Sequence, residues 1–326
     1  MSRWRWVLVP WLATVTACSL AYLTEHAGEP GRGPSDDGGQ GAAADARADV
    51  MAGRWSVSVD ASAGFADLAG VWGSGAQDVW AVGYGQIEHW DGANWTSSDV
   101  GAALEGIWGA GPRDVWSVGA GGTVLHYNGS AWLPVDAGTK ADLHGVWGSG
   151  HANVWAVGEA ASRRGTILHF DGNVWSEQKQ VETGLTAIAG GAAGPLAVGG
   201  DNVILRYAQG SWTKDIVQFG ASNIMHTVWT SDTSAWAAGN VALLRYGGET
   251  WTPASTSGYR GGLSAMWGSG PNDIWGVSFD GTMAHCDGTT WSLVPRITDA
   301  ALNGVWGRAP NDVWAVGTRG TILHFQ

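Results

Sequence analysis

Cysteine is scarce in this sequence. Cys18 and Cys286 are the only two in 326 residues, and neither belongs to a CxxC pair. That excludes a disulfide framework and argues against a structural zinc site. Charge is scarce as well: 14% of residues are charged, with 17 Lys+Arg against 29 Asp+Glu and a net charge of -12. Helical bundles and coiled coils draw on Leu, Glu and Lys at helical spacing, and that pattern is missing. A chain this acidic repels phosphates instead of releasing their counterions, so nucleic acid is excluded as a partner. Direct adsorption to an anionic leaflet is disfavoured for the same reason. Catalytic signatures are also missing, since there is no GxSxG elbow, HExxH, P-loop or dinucleotide fingerprint. The GSG and GAG runs precede hairpin turns, not helices, and so cradle no phosphate. The reading is therefore a non-enzyme with no catalytic residue, no metal and no cofactor.

What the sequence has in excess is tryptophan and glycine, 23 and 52 residues. The run Gly70-Val71-Trp72-Gly73-Ser74-Gly75 returns around Trp108, Trp147, Trp229, Trp267 and Trp306, and in worn form as Ala187-Ile188-Ala189-Gly190. The markers recur about every 40 residues, the signature of a repeat architecture. Each unit carries four short β-like runs. The GVWG run is followed by one like Asp78-Val79-Trp80-Ala81-Val82-Gly83, then by one like Gly165-Thr166-Ile167-Leu168-His169-Phe170. A turn such as Asp171-Gly172 leads to the fourth, headed by a residue like Trp175. Four antiparallel strands per unit make a propeller blade. The last unit stops at Phe325-Gln326 without a fourth strand, and the missing piece lies at the other end, in residues 53–59. The expected fold is all-β: a seven-bladed β-propeller over residues 53–326, its last blade closed by the N-terminal strand.

Outside the first seventeen residues, all but one tryptophan (Trp90) fall into three slots, on the first, second and fourth strands. Packing between neighbouring blades explains such regularity, with sugar-stacking platforms as the sharper alternative. The third strands end in one basic residue each: His89, His126, His169, Arg206, Arg245, His285 and His324. An Asp or Asn stands two positions after four of the histidines (Asp91, Asn128, Asp171, Asp287), on the same strand face. Each His is therefore expected to brace its own turn, not to ligate a metal at the axis. Cys286 reads as a small buried hydrophobe. His144 and His151 are not expected to form a chelating pair.

The N-terminus reads as an address. Arg3 and Arg5 precede an apolar run from Trp6 to Ala17, of signal-peptide length. Val15-Thr16-Ala17-Cys18 resembles the bacterial lipobox, which implies cleavage before Cys18 and a diacylglyceryl group on its sulfur. The alternative is an uncleaved anchor reaching Leu23. The aspartate that retains lipoproteins at the inner membrane is replaced by Ser19, which favours the outer membrane. Residues 18–52, rich in Gly, Ala, Asp and Pro, bury too little apolar surface to order and read as a lipidated flexible tether. The chain is thus expected to divide into a signal peptide (1–17), the tether and the propeller, lipid-anchored in the cell envelope.

The GVWG openings, the DVWAVG runs and the Asp-Gly turns before a fourth-strand Trp resemble the repeats of the tectonin lectins and of BNR (Asp-box) proteins. In the Asp-box the turn is Asp-x-Gly-x-x-Trp, whereas Asp287-Gly288-Thr289-Thr290-Trp291 is one residue shorter. The resemblance implies glycan or cell-surface binding. Among the repeats, the hairpin and Asp-Gly turns are monotonous. The second-to-third-strand loops and crossovers vary, and they offer Tyr84, Glu159, Arg163, Arg164, Tyr259, Arg260, Asp280 and Arg319. Variable loops on a rigid scaffold are where binding concentrates. The functional expectation is a monomeric, surface-tethered binding module for an envelope protein or glycan. The alternative is a secreted hydrolase or lyase at the channel mouth, which clustered carboxylates in a deep pocket would favour.

Overall fold

The computed structural model describes residues 54–59, 64–221, 223–254 and 262–326. The expected signal peptide, Cys18 and nearly all of the tether lie outside them, as do Tyr259 and Arg260. The described chain is a β-propeller of four-stranded antiparallel units. Its second strands are apolar without alternation because both faces are covered by neighbouring units: Val79, Trp80, Ala81 and Val82 are all buried. First strands alternate, as in Leu68–Gly75, where Leu68, Val71 and Gly73 are buried between more open neighbours.

The count of sheets corrects the expectation. Among the described residues there are six sheets, not seven: four have four strands, one has five and one has six. The six-stranded sheet joins the Trp72 and Trp108 repeats, which have the shortest interval between markers. Two long strands, Asp78–Trp90 and Trp95–Gly111, each cover what the repeats present as two. Both bend at a glycine with left-handed φ, Gly85 and Gly101, yet Tyr84 pairs with Ala103 across the bend. With no loop at the crossover, the ladder runs on. The five-stranded sheet gains Ile216–Val217, which pairs parallel to Thr250–Trp251.

The ends of the chain meet as the repeats require. Trp55–Val59 completes the sheet of the last repeat, with Trp55 opposite Phe325 and the Arg54 N–H donating to the Gln326 carbonyl at 2.9 Å. Leu68, Val71 and Val79 of the first complete repeat share a buried cluster with Trp314, Val316 and Ile322 of the last.

Tryptophan holds neighbouring repeats together in two ways. Second-strand indoles meet the fourth-strand indole of the next repeat edge-on: Trp80 with Trp132 at 5.5 Å, Trp275 with Trp55 at 5.2 Å and Trp314 with Trp95 at 5.5 Å. First-strand indoles lie on a glycine of the next repeat, Trp72 on Gly109, Trp108 on Gly148, Trp147 on Gly190, Trp229 on Gly268, Trp267 on Gly307 and Trp306 on Gly73. A Cβ on any of these glycines except Gly268 would fall within 2.8 Å of the ring, and on Gly268 it would fall 3.0 Å from it. The one repeat whose indole is replaced by Ala189 is followed by one whose glycine slot holds Thr230.

Candidate functional site

At the axis, each first strand contributes the residue just before its Gly-Val-Trp run, or the equivalent of that run. These are Ala69, Glu105, His144, Thr186, His226, Ser264 and Asn303, and all seven line one cavity of about 440 Å³. Their side chains link neighbouring inner strands. His144 Nδ1 lies 2.6 Å from Glu105 Oε2, the Thr186 hydroxyl donates to the Met225 carbonyl, and Ser264 donates to the Leu302 carbonyl at 2.6 Å. Asn303 Nδ2 donates to the Leu68 carbonyl at 2.8 Å, joining the last repeat to the first. Each of these bonds spans adjacent repeats, so the belt fixes the bore of the channel.

The Glu105 carboxylate is the largest influence on His144 and raises its pKa above the ordinary value; burial opposes this, and Asp142 and Glu159 add to the rise. His226 Nε2 sits 2.6 Å from Asn240 Oδ1, and Phe279 meets the His226 ring edge-on at 5.2 Å. Phe279 and Tyr84, both more than half exposed, line the mouth. Glu105 is the one carboxylate lining the cavity among the described residues. Clustered carboxylates, the feature that would favour a hydrolase or lyase, are not found there.

Of the described loop residues expected to bind, only Tyr84 lines this cavity. Glu159 lies close enough to act on His144 electrostatically. Arg163 occupies a left-handed position in a tight turn, its N–H donating to the Ala160 carbonyl at 2.8 Å. Arg164 reaches the exposed Glu182 at 3.4 Å and lines a separate cavity of about 360 Å³. Burial raises the Asp280 pKa, but hydrogen bonds from Thr282 and the nearby Arg296 outweigh it and leave the group below the ordinary carboxylate range. Arg319, left-handed as well, donates its backbone N–H to Asp67 at 2.6 Å. These residues shape loops on one face but do not converge. Glu105, His226, Asn303 and Phe279 are not among the expected site residues, and His144 is weighed only as a chelator. The signal for all but Phe279 is one position, just before the recurring run, that holds six residue types in seven repeats.

The histidine braces also differ from expectation. Turn carboxylates and amides cap their own turns: Asp91 Oδ1 accepts from the N–H groups of Ala93 at 2.8 Å and Asn94 at 2.7 Å. The histidines reach across the hairpin to the residue heading the second strand. His89 meets Asp78, His126 meets Asp114, His169 meets Asn153 and His285 meets Asp273, each at 2.7 Å, and His324 meets Asp312 at 2.8 Å. The rings of His89, His126 and His324 stack on the second-strand Trp, with centroids 3.7 Å apart for His324 and Trp314, and those of His169 and His285 meet it at a tilt. This accounts for His324, which has no turn of its own. Cys286 is fully buried, and burial pushes its thiol pKa up.

This geometry belongs to a known architecture. The chain is similar in fold to YCF48. The solved structure of YCF48 from Cyanidioschyzon merolae matches with a TM-score of 0.67 at 16% identity, covering 83% of this chain and 98% of that one. A structure of YCF48 bound to D1 peptide matches at 0.65 and 15%, over 83% and 96% of the two chains. The computationally designed Ika8 protein matches at 0.59 and 15%, over 79% and 96%. At these identities the likeness shows the β-propeller fold alone. No family model and no curated protein sequence matches the chain.

Proposed function

We propose that the protein is a non-catalytic binding propeller that receives a segment of an envelope protein at its axial cavity, and that a lipid on Cys18 tethers it. The observation that carries this reading is the cavity itself. One repeated position supplies Ala69, Glu105, His144, Thr186, His226, Ser264 and Asn303 to a pocket of about 440 Å³, rimmed by the exposed Tyr84 and Phe279. A rigid backbone with six side-chain types at seven equivalent places suits recognition of an asymmetric ligand. The structure of YCF48 with a bound peptide supports a protein ligand for this fold. In this reading each of the seven repeats acts as one blade, and the Trp72 and Trp108 repeats are two blades sharing a continuous strand. The chain of indole–glycine contacts, which passes through both, supports that count.

Tyr84 and Phe279 favour a second reading, a glycan stacked on the two rings. The chain from residue 53 onward, offered to an envelope-peptide array and a glycan array, separates the two. Peptide binding that weakens in Tyr84→Ala and Glu105→Ala supports the first reading; glycan binding with the same dependence supports the second. Binding that ignores both substitutions removes the axial cavity from consideration. For the tether, metabolic labelling with palmitate should mark the full chain and be lost in Cys18→Ser.

A further inference from the structure

Cross-strand pairing sets each third-strand basic residue opposite the second-strand slot usually held by Trp, as His126 opposite Trp116 and Arg245 opposite Trp236. In the five histidine repeats, the residue two places before that Trp is Asp or Asn, and its Oδ1 meets the histidine. In three of them the same oxygen also accepts the indole N–H, at 2.9 Å from Trp80, 3.0 Å from Trp116 and 2.9 Å from Trp155. In these three repeats the fold builds a place for one carboxylate-shaped group between an indole N–H and a basic side chain. In the repeats of Trp275 and Trp314 the Asp meets the histidine while the indole N–H has no partner among the described residues.

The Trp229 repeat keeps the surroundings and changes the group. Ser234 stands two places before Trp236, and its hydroxyl is too short to fill the carboxylate's place. Ser234 Oγ and Trp236 Nε1 are buried and have no hydrogen-bond partner among the described residues. The Arg245 guanidinium lies 5.4 Å from the centre of the Trp236 ring, on the residue that takes the histidine's place, and makes no ion pair among the described residues. A cavity of about 580 Å³ adjoins them, lined by Ser234, Arg245, Arg206 and Asp232. Arg206 is already held, by Asp215 at 2.7 Å and over the Tyr246 ring at 4.4 Å. Arg245 is thus the cation left to face a ligand.

We propose that this cavity is a binding site for an external carboxylate, which takes the position that Asp78, Asp114 and Asn153 fill in their own repeats. Arg245 pairs with it, and the Ser234 hydroxyl and Trp236 N–H donate to it. Arg245 offers one positive charge and the exposed Asp232 at the rim opposes further negative charge, which disfavours a phosphate more than a carboxylate. The site lies among the hairpin turns, on the face away from the axial mouth, and does not depend on the proposed function there.

The test uses the full chain, titrated with sodium acetate against sodium chloride at equal ionic strength and followed by calorimetry and thermal unfolding. Acetate should bind and raise Tm where chloride does not. Arg245→Gln should weaken acetate binding by about tenfold or more. Ser234→Asp should supply the carboxylate from the chain itself, raising Tm in chloride and abolishing the acetate response. A short peptide with a free C-terminus, compared with its C-terminal amide, separates the ligand's sources. Tighter binding of the free peptide than of acetate marks a peptide carboxylate, and equal binding marks a small acid. No acetate response in the parent chain, or the same response in both variants, overturns the proposal.

Discussion

The indole of Trp72 covers Gly109 of the next repeat so closely that a Cβ there would fall 2.5 Å from Cη2 of the ring. Close contact of this kind recurs from repeat to repeat and fixes the distance between neighbouring inner strands. Gly109→Ala should therefore force strand or ring to shift, lowering stability by about 1–3 kcal/mol, measurable by denaturant unfolding.

The pair Ala189 and Thr230 is the exception that tests the rule. Ala189→Trp alone should be destabilising, because Thr230 occupies the slot where the ring must lie. Combining it with Thr230→Gly should recover much of the loss, and a double-mutant cycle should show a coupling of about 1 kcal/mol or more. Additive effects would mean that indole and glycine are not partners.

Ring closure rests on Trp55–Val59. Starting the chain at residue 61 exposes the edge of Ile322–Phe325 and removes the Trp55 ring from Trp275 and Phe325. The melting temperature should fall by many degrees, since losing a packed Trp alone costs about 3–5 kcal/mol. An unchanged melting curve would contradict closure by this strand.

Glu88 is fully buried in a position that holds Leu168 in another repeat. One carboxylate oxygen accepts from the Ser97 hydroxyl at 2.9 Å, and the other has no partner among the described residues. Burial raises its pKa, with the Ser97 hydrogen bond opposing. The folded state thus holds the proton more tightly than the unfolded chain does. The penalty is absent below the ordinary carboxylate pKa and grows as pH rises through the raised value. Glu88→Leu should raise stability at neutral pH by about 1–3 kcal/mol and flatten the pH dependence in that window.

His144 has the same sign of pH dependence from a different cause, attraction to a neighbouring charge in place of burial. The Glu105 carboxylate favours the imidazolium, so this pair's stabilisation is fully present below the ordinary histidine pKa and is lost as pH rises through the raised one. Glu105→Gln should lower the His144 pKa in an NMR titration. An unmoved His144 would mean that the 2.6 Å contact is not an ion pair.

Local patterning made much of this readable in advance. A four-run unit, hairpin turns and a missing last strand supplied at the N-terminus are all written within short stretches of chain, and the three tryptophan slots follow from them. The histidine contacts cannot be told from sequence because strand geometry places both i+2 and the cross-hairpin residue on one face. Only the formed hairpin shows that Asp91 is taken by its own turn while Asp78 is free to meet His89. The merging of the Trp72 and Trp108 repeats into one sheet depended on backbone bends at Gly85 and Gly101 that still permit pairing. The axial belt was decided by tertiary structure alone. Glu105 and His144 become neighbours only when adjacent repeats pack about the axis, and Asn303 and Leu68 only when the circle closes, because curvature about an axis is a property of the whole ring and not of any one strand.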